Sequence, residues 1–268
     1  MREIRAVLAD IDGVLTVSWR PVPGAVSALR SLRESGYKIA LLTNTSSRTR
    51  NWIAGTLRGH GFPVEPSDIF TVAGLTAEYL TRHHPAARCL VLNDGDLSSE
   101  LPGVATVGAD DPEPDVVVLG GAGPQFDYRT LNLVFAHLRR GARLVAMNAN
   151  LYWQTAEGLK LDTGAYLPGL ERAAGVTAEV TGKPAAAFFN AALDAVGVPA
   201  EHAVMVGDDI ENDVLAAQRL GLTGVLVKTG KYQAATERAA TGSPDFVLDS
   251  VADLASLLTG LKQGDAAP

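Results

Sequence analysis

The sequence predicts an α/β fold in which a parallel sheet covered on both faces is interrupted by an inserted second α/β domain. Three observations carry that expectation. Apolar runs of strand length alternate with helix-like segments along the chain. The runs are too short for helices and are punctuated by Gly, Asp and Asn. A middle block of about a hundred residues repeats the alternation and is long enough to bury a core of its own. With 268 residues the chain is long for one compact domain and comfortable for two.

The elements follow in order. Val7, Leu8 and Ala9 form a strand ahead of a helix over 24–35. Ile39 to Leu42 form the next, ahead of a helix over 48–60. In the middle block, strands are expected at Cys89 to Leu92, Val116 to Leu119 and Leu144 to Met147. A helix over 128–140 separates the last two, with Leu131, Val134, Phe135 and Leu138 on one face. Beyond the block come a helix over 185–195, a strand at Val204 to Val206, a helix over 212–220 and a strand at Val225 to Val227. The expected division is a core over 1–73 and 180–261, an inserted domain over 74–179, and a small, polar, disordered tail over 262–268.

Composition narrows the function. At 47% hydrophobic and 20% charged residues the chain is ordinary globular protein, which leaves no room for a disordered or collagen-like reading. A net charge of −7 argues against a broad basic surface for nucleic acid or anionic lipid. The single cysteine, Cys89, excludes an intrachain disulfide, fits a reducing compartment and reads as a small buried hydrophobe. Residues 1–5 lead straight into a strand pattern without the apolar stretch of a signal peptide. No run reaches the ~18 uncharged apolar residues of a membrane helix. The expectation is a soluble, cytoplasmic protein with neither a nucleic-acid nor a membrane partner. The histidines show no ligand spacing and receive no role.

Chemistry gathers where strands end, which is where open α/β sheets bind ligands. Asp10 and Asp12 leave the first strand two residues apart and can point to the same side. Two carboxylates held close repel unless a proton or cation compensates, and Mg²⁺ does so while also binding phosphate oxygens. Asp10 is then placed to attack phosphorus, and Asp12 to protonate the leaving group and later deprotonate water. Gly13 suits the turn and lets backbone approach an anion. The competing reading is a plain strand-terminal turn, where Asp and Gly are common.

Thr43 and Asn44 end the second strand shortly before a helix, where a hydroxyl and backbone N–H groups suit a phosphate oxygen. Helix capping by Thr43, Ser46 or Ser47 is the alternative. Lys183, between Gly182 and Pro184 ahead of a helix, can neutralise a phosphoryl oxygen and hold the nucleophile, although most lysines are solvated surface charges. Pro184 is expected in the first helical turn. Asp208 follows a Val/Met strand and is the natural third metal ligand, with Asp10 and the backbone carbonyl of Asp12. Asp213, Asn212 and Gly13 are expected to support the site rather than to bind the ion; Asp213 would act through water or by orienting Lys183. Asp209 and Glu211 read as helix-start residues.

These segments, in this order, resemble the haloacid-dehalogenase superfamily in its branch with a large α/β cap between the second and third motifs (NagD-like). Asp10-Ile11-Asp12-Gly13 matches the first motif, Thr43 the second, Lys183 the third, and Asp208 with Asp213 the fourth. Gly158 to Asp162, Gly182-Lys183-Pro184, Phe188-Phe189, Val206 to Ile210 and Val227 to Tyr232 are similar to the sub-branch of phospholysine/phosphohistidine/inorganic-pyrophosphate phosphatases. The resemblance implies a Rossmann-like core, a mobile cap, one Mg²⁺, phosphoaspartate chemistry, a small phosphorylated substrate and a possible homodimer through the cap. Some members of that sub-branch replace the acid/base aspartate. This chain keeps Asp12, so phosphate monoesters stay open beside phosphoramidates and pyrophosphate, and dehalogenation is disfavoured.

The stretch from Asn148 to Gln154 follows a cap strand. In related caps the equivalent loop reaches substrate, which makes Asn148, Asn150, Tyr152 and Trp153 specificity candidates. Their own chemistry favours another role for Tyr152 and Trp153, packing the cap or a dimer contact. A catalytically silent binding module and a phosphomutase are the rival functions. The first is disfavoured because no motif residue is missing.

Overall fold

The computed structural model describes residues 3–109, 111–155 and 158–263. The chain divides into two compact units: residues 1–43, 51–70 and 183–268 form one, and residues 44–50 and 71–182 the other.

The first unit is built on a six-stranded sheet in the spatial order Phe246–Leu248, Thr223–Val227, Ala203–Gly207, Ala6–Asp10, Lys38–Thr43, Ile69–Thr71. The pairs from Phe246–Leu248 across to Lys38–Thr43 are parallel. Alternate residues explain why the sheet is covered twice. Val7, Ala9, Ile39, Leu41, Val204, Val206, Val225 and Val227 share one cluster with Leu29, Leu32, Ile53, Leu57, Leu254 and Leu258 from helices. The intervening Leu8, Ala40, Leu42, Met205 and Leu226 are buried as well, so the opposite face is also closed. Helix Ala186–Val196 packs on strand Lys38–Thr43 and buries Phe188 and Phe189. Burying one such large apolar side chain contributes ~1.5–3 kcal/mol.

The register places the chemistry. Asp10 lies opposite Leu42, one residue short of Thr43, and Ala9 lies opposite Val206, one short of Gly207. The carboxyl ends of three adjacent central strands therefore carry Asp10, Thr43 and Asp208 side by side.

The second unit has a five-stranded parallel sheet, ordered Glu179–Val180, Arg143–Ala146, Val116–Leu119, Arg88–Leu92, Ala105–Val107. Val134 and Leu138 of helix Tyr128–Arg139 are buried in its core, and Leu131 and Phe135 pack against the same cluster. Asp127 starts that helix by accepting a bond from Thr130 N at 2.7 Å. Cys89 is buried, and burial pushes its thiol up to about 11, as an unreactive packing residue requires. Strands Tyr152–Thr155 and Gly158–Leu161 form a separate antiparallel hairpin.

Several local expectations change. The segment after Asp208 does not start as an α-helix at residue 212: Ile210–Leu215 is a π-turn, followed by only Ala216–Gln218 in α geometry. Wide turns of this kind recur at functional sites, where they re-aim side chains. Pro184 precedes helix Ala186–Val196 instead of occupying its first turn, and the Lys183–Pro184 bond is cis. Helix Leu254–Gln263 takes in Lys262 and Gln263, the first residues of the expected tail. Residues 264–268 lie outside the described residues. The compact second unit also runs a few residues past 74–179 at both ends and includes 44–50. Among the described residues no helix is long and apolar enough to cross a membrane.

Candidate active site

Asp10 ends the central strand and is buried. Lys183 Nζ stands 2.5 Å from Asp10 Oδ1 and 2.7 Å from Asp213 Oδ1, and all three side chains are nearly sealed from solvent. Burial works against the lysine's charge, but Asp10 and Asp213 outweigh it and hold its pKa above the ordinary range. Lys183 is thus a fixed cation joining two acids that sit 203 positions apart in sequence (213 − 10). An unpaired buried charge would be strongly destabilising, so the three residues depend on one another.

Asp208 completes the cluster. Ligand atoms of Asp10, Asp208 and Asp213 all lie within 4.8 Å of one another. Desolvation raises the Asp208 carboxyl well above its usual range, opposed by the charge of Lys231 and reinforced by Asp10. Burial likewise pushes Asp213 up to about 6, against the pull of Lys183. One oxygen of Asp208, Oδ2, accepts the Lys231 backbone N–H at 2.8 Å. The other, Oδ1, is buried and has no hydrogen-bond partner among the described residues. Such an orphaned carboxyl oxygen beside two further acids fits a hard divalent cation, which would favour their ionised forms.

Asp12 lies two residues beyond Asp10. Its outer edge is exposed, yet surrounding protein desolvates the carboxyl and pushes its pKa up, against the Ser18 N–H bond and the charges of Lys231 and Lys183. Ser18 N donates to Asp12 Oδ1 at 3.2 Å. That donor tips a small hairpin, Thr16–Val17 against Arg20–Pro21, whose turn residues Ser18 and Trp19 both have positive φ, 48° and 65°. Trp19 meets Trp52 edge to face, 4.9 Å between ring centres. Gly13 has φ 101°, and a Cβ there would collide with the Asp208 carboxylate. Its lack of a side chain is what lets the first and fourth segments touch.

The remaining expected residues distribute as follows. Thr43 is buried at the end of its strand. Asn44 falls in the 44–50 segment of the second unit. Asn212 is bonded to Asp209, the neighbour of Asp208. It donates from both its backbone N and its Nδ2 to Asp209, at 2.9 and 2.8 Å. Asp209 caps the π-turn, as a helix-start residue would. In the second unit, Asn148 is buried and accepts Asn150 N at 3.0 Å, while Tyr152 and Trp153 are 49% and 41% exposed on the hairpin. Those two rings therefore do not pack the core of that unit.

The loop after strand Thr223–Val227 carried part of the family resemblance in Val227 to Tyr232, but no role in the site was expected of it. Thr229 Oγ1 donates to Gly13 O at 2.5 Å, and Lys231 Nζ pairs with Asp209 at 3.1 Å. The available signal was position, because this loop leaves the carboxyl end of the strand next to the Asp208 strand.

The chain is similar to known proteins along nearly all of its length. Residues 7–105 match the family model for haloacid dehalogenase-like hydrolases, and residues 180–254 match a HAD-hydrolase-like model. The chain is 34% identical to the human phospholysine phosphohistidine inorganic pyrophosphate phosphatase, over 95% of this chain and 94% of that one. Its fold is similar to that of a p-nitrophenyl phosphatase from Archaeoglobus fulgidus, with TM-score 0.87, 28% identity, and 96% and 100% of the two chains covered. It is also similar to a glycerol phosphate phosphatase from Mycobacterium tuberculosis solved in complex with magnesium, with TM-score 0.84, 29% identity, and 96% and 78% covered.

Proposed function

Because the chain belongs to the haloacid dehalogenase-like hydrolases and is a phosphatase of that family, we propose that it hydrolyses small phosphorylated molecules through an aspartyl-phosphate on Asp10, with Mg²⁺ as cofactor. The observation that carries the reading is the buried Asp10–Lys183–Asp213 set beside an Asp208 oxygen with no partner. Asp10, Asp208 and the backbone carbonyl of Asp12 would hold the ion. When bound, the ion neutralises the crowded carboxylates and draws charge from the phosphoryl oxygens.

The protein's own groups do the rest. Lys183 holds the Asp10 carboxylate in one orientation and neutralises a phosphoryl oxygen. The Thr43 hydroxyl and the backbone N–H of Asn44 bind the remaining oxygens. A carboxylate oxygen of Asp10 forms a bond to phosphorus as the bond to the leaving oxygen breaks, and Asp12 gives that oxygen its proton. Asp12 then takes a proton from water, whose oxygen bonds to phosphorus. The Asp10–phosphorus bond breaks and phosphate leaves. The raised pKa of Asp12 suits a group that must begin protonated.

Selectivity is assigned to the second unit. Asn150, Tyr152 and Trp153 offer amide and aromatic surface, and Asn148 holds the Asn150 backbone. The exposed Leu151, Leu159 and Leu161 of the same region form the face on which two copies would pair. A second substrate class, P–N and P–O–P bonds, is favoured by the relative named for phospholysine, phosphohistidine and pyrophosphate. The test is Asp10→Asn: turnover of p-nitrophenyl phosphate should fall at least about 10⁴-fold with the circular-dichroism spectrum unchanged. Turnover surviving in that variant removes the nucleophile assignment.

A further inference from the structure

Asp208 and Asp209 are neighbours with opposite fates. Asp209 is saturated: it accepts from Glu211 N, Asn212 N and Asn212 Nδ2 and pairs with Lys231 Nζ. Asp208 keeps one oxygen bare. The loop at residues 229–231 touches both. The Lys231 N–H takes Asp208 Oδ2 at 2.8 Å, while the Lys231 side chain pairs with Asp209. Gly230, at φ 61°, lies so close that a Cβ would collide with both the Asp208 carboxylate and Gly13 Cα. Thr229 Oγ1 binds the Gly13 carbonyl at 2.5 Å.

We propose that residues 229–231 are a positioning clamp for the divalent-cation site, with Thr229 and the Lys231 N–H as its two contacts. The inference rests on the metal-dependent reading above. A carboxylate's terminal torsion is broad and two-fold, so an unheld Asp208 would present either oxygen over a range of directions. One directional N–H bond removes that freedom and aims Oδ1 into the cluster. The Thr229 bond fixes the turn of Asp12 and Gly13, and so fixes the backbone carbonyl of Asp12 that would ligate the same ion. The clamp thus sets two ligands that come from segments nearly two hundred residues apart in sequence. Groups that orient metal ligands in this way typically carry ~10–100-fold of the affinity.

The test measures Mg²⁺ and Mn²⁺ binding by calorimetry on the full chain without substrate, with the metal-free melting temperature recorded beside it. Thr229→Val removes the hydroxyl and should weaken binding on the order of tenfold, with metal-free melting close to wild type. Thr229→Ser restores the donor and should bind within about twofold of wild type. Gly230→Ala should lose more than Thr229→Val; if it does not fold, the Thr229 pair alone decides. A Thr229→Val protein that binds like wild type overturns the clamp. So does one that loses metal-free stability with unchanged affinity, or a Thr229→Ser variant as weak as Thr229→Val. Failure of the wild type itself to bind either ion overturns the metal reading and the clamp together, whereas the other outcomes sink the clamp alone.

Discussion

Asp208 and Asp162 are both buried aspartates, one in each unit, and burial raises the carboxyl pKa of both. Their surroundings answer that burial in different ways. Asp162 Oδ1 accepts the N–H groups of Ala122 and Thr163, at 3.1 and 2.8 Å, and the Asn148 side chain bonds to the same carboxylate. Thr163 continues the network by donating to the Gly120 carbonyl. Asp208 has one backbone donor on Oδ2, two acids as neighbours and a bare Oδ1. A buried carboxylate satisfied from within holds a fold together, and one left partly unsatisfied is an opening for a ligand. Burial alone does not distinguish the two; the inventory of donors does.

The largest effects should come from changing these two residues in parallel. Asp208→Asn keeps the shape of a carboxyl whose charge burial already disfavours, so the metal-free protein should be no less stable than wild type while Mg²⁺ affinity drops at least ~100-fold. Asp162→Ala strands buried N–H donors and should cost ~1–3 kcal/mol, leaving the Mg²⁺-induced rise in melting temperature intact. Scanning calorimetry with and without Mg²⁺ reads both. Loss of the Mg²⁺ response in Asp162→Ala would break the distinction.

A smaller effect follows from pH. Asp213 is pushed up to about 6, so the fold prefers its protonated form. The Asp213 contribution to metal-free stability is then present at low pH and lost as pH rises through about 6. A divalent cation favours the ionised acids, so its stabilising effect should grow from pH 5 to pH 7. Urea denaturation at those two pH values, with and without Mg²⁺, checks the sign. A flat metal response would mean that the acids are already ionised without the ion.

The smallest effect lies outside both clusters. Trp153→Ala should raise KM severalfold for a bulky phosphate ester and leave kcat for p-nitrophenyl phosphate near wild type. An unchanged KM with a later gel-filtration elution would assign Trp153 to pairing between copies instead.

Much of the first unit could be read from the sequence because its central strands are uniformly apolar and end in the reactive residues. Ala6–Asp10 and Ala203–Gly207 announce both their burial and their exits. Local geometry set by the rest of the molecule was harder to read. The two-residue strands around Ser18 and Trp19 lack the Asn-Gly or Asp-Gly signal of a tight hairpin. The π-turn at Ile210–Leu215 arises where Asp209 caps and Asp213 must reach Lys183, a tertiary demand that helix propensity does not record. Lys231 received no role because nothing in its local sequence shows that it meets the acids at the exit of the neighbouring strand. In the other unit, Leu159 and Leu161 entered the sequence reading only as part of a family segment, and they are 64% and 61% exposed.

The position of strand Ala6–Asp10 has a consequence for biosynthesis. One neighbour, Lys38–Thr43, leaves the ribosome soon after it, but the other, Ala203–Gly207, emerges nearly two hundred residues later. At ~5–20 residues per second, that interval lasts tens of seconds. Until then the strand has one bare edge and Asp10 lacks its lysine, while the whole second unit is translated in between. The reactive constellation therefore cannot assemble until residue 183 and the strand after it have been made, and a truncated product ending before residue 183 carries the nucleophile without its lysine.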